Sequence, residues 1–420
     1  MGKIWRWYMS MSFMVKMTGG FLIGILLGVV LGEHSSFLAP LGTLFLNLLK
    51  MIVIPLVIFS LMVAVNHSNP KELGRIGLKI FPFYLFSTAI AVVIGIILAK
   101  VTNPGAGFSL PTEVVMDAPV RPSFVDTLLN MVPSNIFNAF AQGDILAVVF
   151  VSVIAGLAIL FMRHSLDEKQ QELGDFLFKL LEAGNEVISK ILNGILVYAP
   201  IGVLGITANT FGTQGLDTAI ALGKFIGTSY VGVIILVGVA FPIMMKVFGI
   251  KVIQFYKDIK EAAFTSFVTS SSIGTLPVTI KCAEKAGIGE RVAKLTLPIG
   301  ATVNMNGTAI RFGVAVIFAA EIMGMTLSTP ELATIVIIGT MAAIGTAGVP
   351  GAGLIGMSIV FTQAGLPIEI VALTAGINIL VDMIFTFGNV VGDLVGAKIV
   401  DQTEKWKVDD TVEETQVIIT

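Results

Sequence analysis

The stretch DMIFTFGNVVGD, Asp382 to Asp393, places two carboxylates and an asparagine within residues 366–395, which are otherwise largely apolar. On a helix, steps of three and four residues connect Asn378, Asp382, Phe385, Thr386, Asn389 and Asp393, so these side chains share one stripe. An ionisable group at the centre of a membrane helix costs roughly 2.5–3.5 kcal/mol on insertion scales, and such groups face a cavity or a partner instead of lipid. The stripe therefore predicts a polar ligand. Asp393 and Asn389, four apart, could be a hydrogen-bonded pair that fixes two helices. The favoured reading is cation binding, because a carboxylate, an amide and freed carbonyls are the hard oxygen ligands a small alkali ion needs. Asp382 has no Lys or Arg at neighbouring helical positions. It is an unpaired buried anion unless a ligand ammonium, a proton or a structural partner from elsewhere neutralises it.

The rest of the chain explains why such a stripe can exist. Its 420 residues are 55% hydrophobic and only 13% charged, with a mean hydropathy of +0.92, which marks an integral membrane protein. A net charge of −2, with Lys and Arg scattered at segment ends, leaves no footprint for nucleic acid. The single Cys282 cannot close an intramolecular disulfide, and His34, His67 and His164 lack metal-ligand spacing, so no zinc or redox site is expected. Lys3, Arg6 and Lys16 precede an apolar run from Phe21 to Leu31 without the small-residue pattern of a cleavage site, which predicts a retained first span.

Apolar stretches of about 20 residues or more near 12–32, 37–65, 77–101, 143–163, 174–209, 215–249, 292–323 and 366–400 predict eight crossing helices. Basic residues recur after every second span: Lys3, Arg6 and Lys16; Lys71, Arg75 and Lys79; Arg163 and Lys169; Lys246, Lys251, Lys257 and Lys260. Those ends are read as cytoplasmic, and with them both termini. Two further apolar stretches break the count. Glu261–Ile280 has basic residues on both flanks, whereas Glu331–Ala364 lies in a region free of Lys and Arg from Arg311 to Lys398. Each has a turn-like centre, TSSSIGTLP (Thr269–Pro277) and GTAGVPGAG (Gly345–Gly353). They read as re-entrant hairpins from opposite faces, with the second tip a lid. Non-helical backbone at membrane depth is tolerated only beside protein or water, so the two tips should line one site. Hairpin and helix then occur twice in opposite orientation, the inverted repeat of a secondary transporter that binds near the midplane. NMNGT (Asn304–Thr308) breaks the helix between the hairpins and frees carbonyls.

The Pro- and Gly-containing link Thr102–Gln142 is expected outside the membrane. Residues 1–250 are assigned mainly to a scaffold and trimerisation domain, with spans 3 and 6 joining the transport domain. Residues 251–402 form the transport core and 403–420 a cytoplasmic tail.

SSSIGTLP, NMNGT, GTAGVPGAG and DMIFTFGNVVGD, in that order, resemble the four signature stretches of the dicarboxylate/amino acid:cation symporters, the family of excitatory amino acid and archaeal aspartate transporters. The resemblance covers about residues 20–402. It implies an all-α, multi-pass homotrimer in a prokaryotic plasma (inner) membrane, whose transport domain moves as an elevator against the scaffold and the surrounding lipid. It puts a substrate α-carboxylate on Ser271, Ser272 and Asn389 and the amino group on Asp382, with Thr308, Thr386, Val349 and Gly353 completing the pocket. One sodium ion would use Asp393, Asn389, Asn304 and Gly300. A second would use carbonyls near Thr302, Ala343, Ile344 and Thr346. A third would lie by Tyr84, Ser87, Thr88, Asn304 and Asn306.

The departures matter as well. Sodium-coupled relatives usually carry Asp where Asn306 stands and commonly Asp at Asn378. Acidic-substrate relatives carry Arg where Phe385 stands, while Ser270 replaces an arginine of archaeal members and Arg311 stands where no base is expected. The expected function is import of a small amino acid with sodium, and with protons as a further coupling ion. Phe385 tips the balance slightly toward a neutral substrate. Arg311, three residues after Thr308 and seven after Asn304, shares their helix face and keeps glutamate, aspartate or a dicarboxylate as the alternative. A channel-like anion conductor is the rival from another class. A membrane enzyme is disfavoured, because no nucleophile–base pair or metal cluster is legible.

Overall fold

The computed structural model describes residues 11, 13–66, 73–107, 129, 131–215, 217–346, 348 and 351–404. No strand occurs among them. Val349 and Pro350 of the second tip, most of the expected external link, Lys3, Arg6 and Lys71, and the tail beyond Glu404 lie outside the described residues.

Six of the expected spans fall on helices α1 (Phe13–Leu31), α2 (Ala39–Asn66), α3 (Leu78–Thr102), α5 (Ile145–Arg163), α6 (Glu168–Gln214) and α7 (Asp217–Ile235). A 3-10 turn, Gly32–Leu38, joins α1 to α2, and a π-turn, Leu236–Ala240, carries α7 into α8 (Phe241–Val247). The short α4 (Ile136–Gln142) precedes α5. Helix starts follow their caps: Asn135 accepts from Asn138 N–H, Asp144 from Ala147 N–H and Asp167 from Lys169 N–H. Seven described stretches are long and apolar enough to cross a membrane, against eight expected spans. The difference lies in the first two: α1, the 3-10 turn and the start of α2 run together as Val15–Leu48, and the rest of α2 remains as the shorter apolar Ile54–Asn66.

The transport-core sequence folds into α9 (Val252–Thr269), α10 (Ser272–Lys285), α11 (Glu290–Val303), α12 (Asn306–Ile322), α13 (Thr329–Ile344), α14 (Ala352–Ala364), α15 (Glu369–Ala375) and α16 (Asn378–Thr403). Helices α9 and α10 pack as one hairpin and α13 and α14 as another. Their tips meet: Ile273 N–H donates to the Gly348 carbonyl at 3.1 Å, and the Ser271 hydroxyl donates to the same oxygen at 3.1 Å.

Burial separates two kinds of helix. In the most apolar part of Glu290–Ile322, 94% of residues are buried within the protein, and in Leu380–Thr403 83%, against 22% in Val15–Leu48. Helices α11, α12 and α16 are thus wrapped by other helices, whereas α1 turns Leu22, Leu26 and Val30 outward as a lipid-compatible face. Helices α1, α2 and α5 pack on α6, while α3, α7, α13, α14 and α16 surround α12.

Backbone approach holds the inner group together. A Cβ on Gly313 of α12 would lie 2.3 Å from the Val92 carbonyl oxygen of α3, and one on Gly95 would lie 2.4 Å from the Ile310 oxygen. The two glycines let α3 and α12 meet at their main chains, the close contact that small residues provide in membranes. Gly313→Ala forces these backbones apart, and overpacking of this kind costs about 1–3 kcal/mol. The purified variant should therefore melt at a lower temperature in detergent, and a thermal-unfolding series with Gly194→Ala, where nothing lies within 4 Å of the added carbon, as control checks this.

Candidate substrate and cation site

Helix α16 carries the polar stripe. Asn378, Asp382, Phe385, Thr386, Asn389 and Asp393 are all buried in the structure, facing the broken helix α11–α12 and the hairpin tips. The break is at Asn304 (φ −101°, ψ 84°) and Met305 (φ −104°, ψ 56°), where the chain leaves helical geometry and re-enters it at Asn306. The orphan N–H groups that begin α12 are satisfied across the interface. Asn389 Oδ1 accepts from Gly307 N–H at 2.8 Å and from Thr308 N–H at 3.2 Å, while its Nδ2 donates to Thr308 Oγ1 and Met305 Sδ, each at 3.2 Å. Position 307 has to be glycine for this, since a Cβ there would lie 2.0 Å from the Phe385 carbonyl oxygen. The side-chain oxygen of Asn389 thereby has both lone pairs engaged, and the residue ties α16 to α12 instead of pairing with Asp393.

Asp393 pairs with the break itself: Asn304 Nδ2 donates to its Oδ1 at 2.8 Å. Gly300 faces the same carboxylate, and a Cβ on it would stand 2.6 Å from Asp393 Oδ1 and 2.7 Å from the Tyr84 hydroxyl. Tyr84 in turn donates to the Thr296 carbonyl at 2.9 Å. Asn304 Oδ1 is buried without a hydrogen-bond partner. A buried amide oxygen without a partner beside a buried carboxylate that receives one neutral N–H offers the hard oxygen ligands that suit a small cation.

The third expected cation set gathers differently. Asn306 Nδ2 donates to Ser87 Oγ at 2.9 Å and to Thr88 Oγ1 at 3.2 Å. The hydroxyl lone pairs that could coordinate an ion are taken by an amide, and no carboxylate is supplied. Around the second set, Gly348 rests against the Ala301 carbonyl next to Thr302, since a Cβ on it would lie 2.1 Å from that oxygen. The Ala343 carbonyl accepts from Thr346 N–H at 3.2 Å, Ile344 follows at the end of α13, and the Thr302 hydroxyl donates to the Ile299 carbonyl at 3.0 Å.

On the N-terminal half of the stripe, Asp382 Oδ2 accepts from Gly351 N–H at 2.8 Å and its carbonyl accepts from the Thr386 hydroxyl at 2.8 Å. Gly351, at φ +83°, begins α14. Asp382 therefore stitches the second tip to α16. Arg311 lies fully buried, with Nη1 donating to Asn378 Oδ1 at 2.6 Å, while Nε and Nη2 have no partner. Its Cζ is 5.9 Å from the centroid of the Phe385 ring. A Cβ on Gly353 would lie 2.8 Å from Arg311 Nη1, 3.6 Å from Asp382 Oδ1 and 3.7 Å from Thr308 Cγ2, so opposite charges flank one small gap.

At the first tip, Ser271 accepts from Gly274 N–H as the N-cap of α10 and bonds the second tip through its hydroxyl, so it closes the hairpins on each other. Ser272 Oγ is buried and unpartnered. So is Ser270 Oγ, on a residue held at φ +51° in the serine run that the sequence reading placed at the first tip. That reading missed Asn378 as the acceptor for Arg311. Its place on the stripe was the available signal, but the three-dimensional partner was not.

The sodium:dicarboxylate symporter family matches residues 13–403. The chain belongs to that family. The symporter is 30% identical to a proton/sodium-glutamate symport protein of Bacillus caldotenax, over 91% of this chain and 93% of the relative. It is 29% identical to a C4-dicarboxylate transport protein of Bacillus subtilis (91% and 90% covered) and 30% identical to excitatory amino acid transporter 3 of Mus musculus (96% and 88% covered). The family consists of multi-pass membrane symporters, so the protein is a transporter and not an enzyme.

In this symporter, replacing Asp393 with Asn removes the one carboxylate beside Gly300 and Asn304. A bound cation favours a state only through its differential affinity for it. The Asp393→Asn variant is therefore expected to bind substrate more weakly at a given sodium concentration, by about tenfold, within the usual range of coupling between sites. Its substrate affinity should also respond less steeply to sodium, which titration at several sodium concentrations measures.

Proposed function

We propose that this protein imports an acidic amino acid, aspartate or glutamate, by symport with sodium. The observation that carries the reading is Arg311. A guanidinium with no exposure, bonded to one neutral oxygen and with Nε and Nη2 free, is an incompletely compensated buried cation. Among the described residues no carboxylate lies within 4.0 Å of it. A side-chain carboxylate of the substrate would supply the missing partner in the forked geometry that arginine favours. Asp382, across the Gly353 gap, would take the ammonium group, which a plain dicarboxylate lacks. The unpartnered Ser270 and Ser272 hydroxyls near the joined tips would serve the α-carboxylate. Relatives named for glutamate and aspartate support the same choice.

The neutral substrate suggested by Phe385 is the weaker reading, because the ring stands beside a guanidinium instead of leaving the pocket without one. It remains the reading to adopt if the test below fails. The rest of the proposal is a homotrimer in lipid, multi-pass in a prokaryotic plasma membrane with cytoplasmic termini. Helices α1, α2, α5 and α6 form its scaffold, and the group around α12 is the part that moves as an elevator. One sodium ion sits at Asp393, Asn304 and Gly300, a second sits near Thr302 and the end of α13, and protons are a further coupling ion.

Two measurements test this. In proteoliposomes with an inward sodium gradient, the wild type should accumulate L-aspartate or L-glutamate uphill. Arg311→Met should lose about a hundredfold in affinity for it, near the ~3 kcal/mol that charge-assisted hydrogen bonds contribute. Tight binding of a neutral amino acid that is indifferent to Arg311→Met would sink the acidic reading. Because Asn306 offers an amide where a carboxylate would bind a third ion, the charge moved per substrate should be lower than in relatives with Asp there. Reversal potentials measured at graded sodium give that number.

A further inference from the structure

We infer that a cleft between α3, α8 and α16 binds one anionic phospholipid, with an acyl chain lying along α3 and the headgroup held at Lys79 and Lys246. The cleft has a volume of about 800 Å³. Lys79, Pro82, Phe83, Phe86 and Ile90 line one wall, and their steps of three and four put them on one face of α3. The facing wall is α8, around Ile243 and Val247, and the floor is the end of α16. Eleven residues along the helix separate Lys79 from Ile90, about 16 Å at a rise of ~1.5 Å each. That is close to half of the ~30 Å hydrocarbon core, the depth of a single leaflet. Phe86, Ile243 and Val247 remain exposed along the edges, a rim that suits hydrocarbon and not water.

An acyl chain gains little by exchanging the bilayer for a wall of Phe and Ile, because lipid tails are as apolar as those side chains. Selection therefore falls to the headgroup. Lys79 is the one charged residue of the lining and stands at one end of it. Its ammonium donates to the Glu404 carboxylate and, at 3.1 Å, to the Thr403 carbonyl, which leaves one of its three donors. The Glu404 side chain is fully buried, whereas that of Lys79 is 38% exposed. The carboxylate thus fixes the ammonium in place without itself facing an incoming anion. Glu404 is also shared with Arg75, at 2.7 Å, so one buried anion serves two bases.

On the opposite wall Lys246 is exposed in the last turn of α8. It follows Ile243 by three residues, which puts it on the same side of the helix, and it has no acidic partner among the described residues. Asp401, the other acid in the last turn of α16, is engaged by the Gly289 N–H at 2.9 Å. The mouth is therefore basic from both walls. Basic pockets between membrane helices on the cytoplasmic side hold anionic headgroups, and this is the side proposed above as cytoplasmic.

The test titrates the full-length protein in mild detergent with dioleoyl phosphatidylglycerol or dioleoyl phosphatidylcholine and counts bound lipid by native mass spectrometry. Wild type should bind one phosphatidylglycerol per chain at least about tenfold more tightly than phosphatidylcholine. Lys246→Gln should weaken phosphatidylglycerol binding about fivefold, the effect of one basic residue near an anionic surface, and leave phosphatidylcholine unchanged. Lys79→Gln should do the same; if it fails to fold because Glu404 loses a partner, Lys246→Gln decides alone. Lys169→Gln removes an exposed lysine at the start of α6, outside the cleft, and should have no effect. Equal affinity for the two lipids overturns the site. So does a loss in Lys169→Gln as large as in Lys246→Gln, since the attraction would then belong to the basic rim as a whole. An excess of sn-glycerol 3-phosphate should not displace the lipid; displacement would mean that the headgroup alone is recognised and would overturn the role of the cleft.

Discussion

Every polar group placed at depth in this apolar bundle must find a partner in the protein or in a ligand. A backbone break inside a membrane helix exposes N–H and carbonyl groups that lipid cannot satisfy. Here the break at Asn304 and Met305 is met by a single facing helix: Asn389 closes the N-terminus of α12 and Asp393 receives the Asn304 amide. The same two side chains thus hold the inner group together and define the place where an ion can bind. Among the described buried polar atoms left without a partner, Asn304 Oδ1, Asn306 Oδ1, Ser270 Oγ, Ser272 Oγ and two nitrogens of Arg311 lie on the first tip, the break and α12, while Ser35, Asn66, Thr218 and Ser229 carry others elsewhere in the bundle. Leaving a buried polar atom unmade costs about 1–3 kcal/mol.

Glycine makes this arrangement possible in a way composition alone conceals. The three close approaches at Gly300, Gly307 and Gly353 put an ion ligand, a helix terminus and a charged pair within reach of neighbouring main chain or side chains. Each excludes a Cβ for a different reason. Gly300 meets a carboxylate and a phenol, Gly307 a backbone carbonyl, and Gly353 a guanidinium. The hairpin tips close over the site by main-chain bonds centred on Gly348 and by the Gly351–Asp382 bond. Substrate cannot reach Asp382 from the second tip while that bond persists unless it displaces the Gly351 N–H. Closure of that tip through this bond and binding of a ligand by the same oxygen are therefore competing uses of one carboxylate.

Much of this was legible beforehand. Hydropathy gave the helical membrane architecture, the flanking basic residues singled out the two hairpins, and the period of DMIFTFGNVVGD put the functional stripe on one face. Periodicity could do so because a helix maps spacing directly onto geometry. What remained hidden were partners set by the packing of separate helices. Asn389 looked like an ion ligand, yet its side-chain oxygen is saturated by two N–H groups of α12. Ser271 looked like a carboxylate ligand, yet its hydroxyl is committed to capping and to the second tip. Neither commitment leaves a trace in spacing along one chain segment.

Arg311 shows the same limit from the other side. Reading α16 alone, Phe385 removes the base and points to a neutral pocket. Reading the packed pair, α12 returns a guanidinium to within 5.9 Å of that ring, and the stripe supplies Asn378 to hold it. Charge at a binding site is a property of a volume, and side chains from either wall can furnish it. A substitution that deletes a charge on one helix is therefore informative about the ligand only after the facing helix has been placed. Where the two disagree, the buried group with unmet donors carries the greater weight, because the free energy of leaving it unpaired is larger than that of packing a phenyl ring beside a polar ligand.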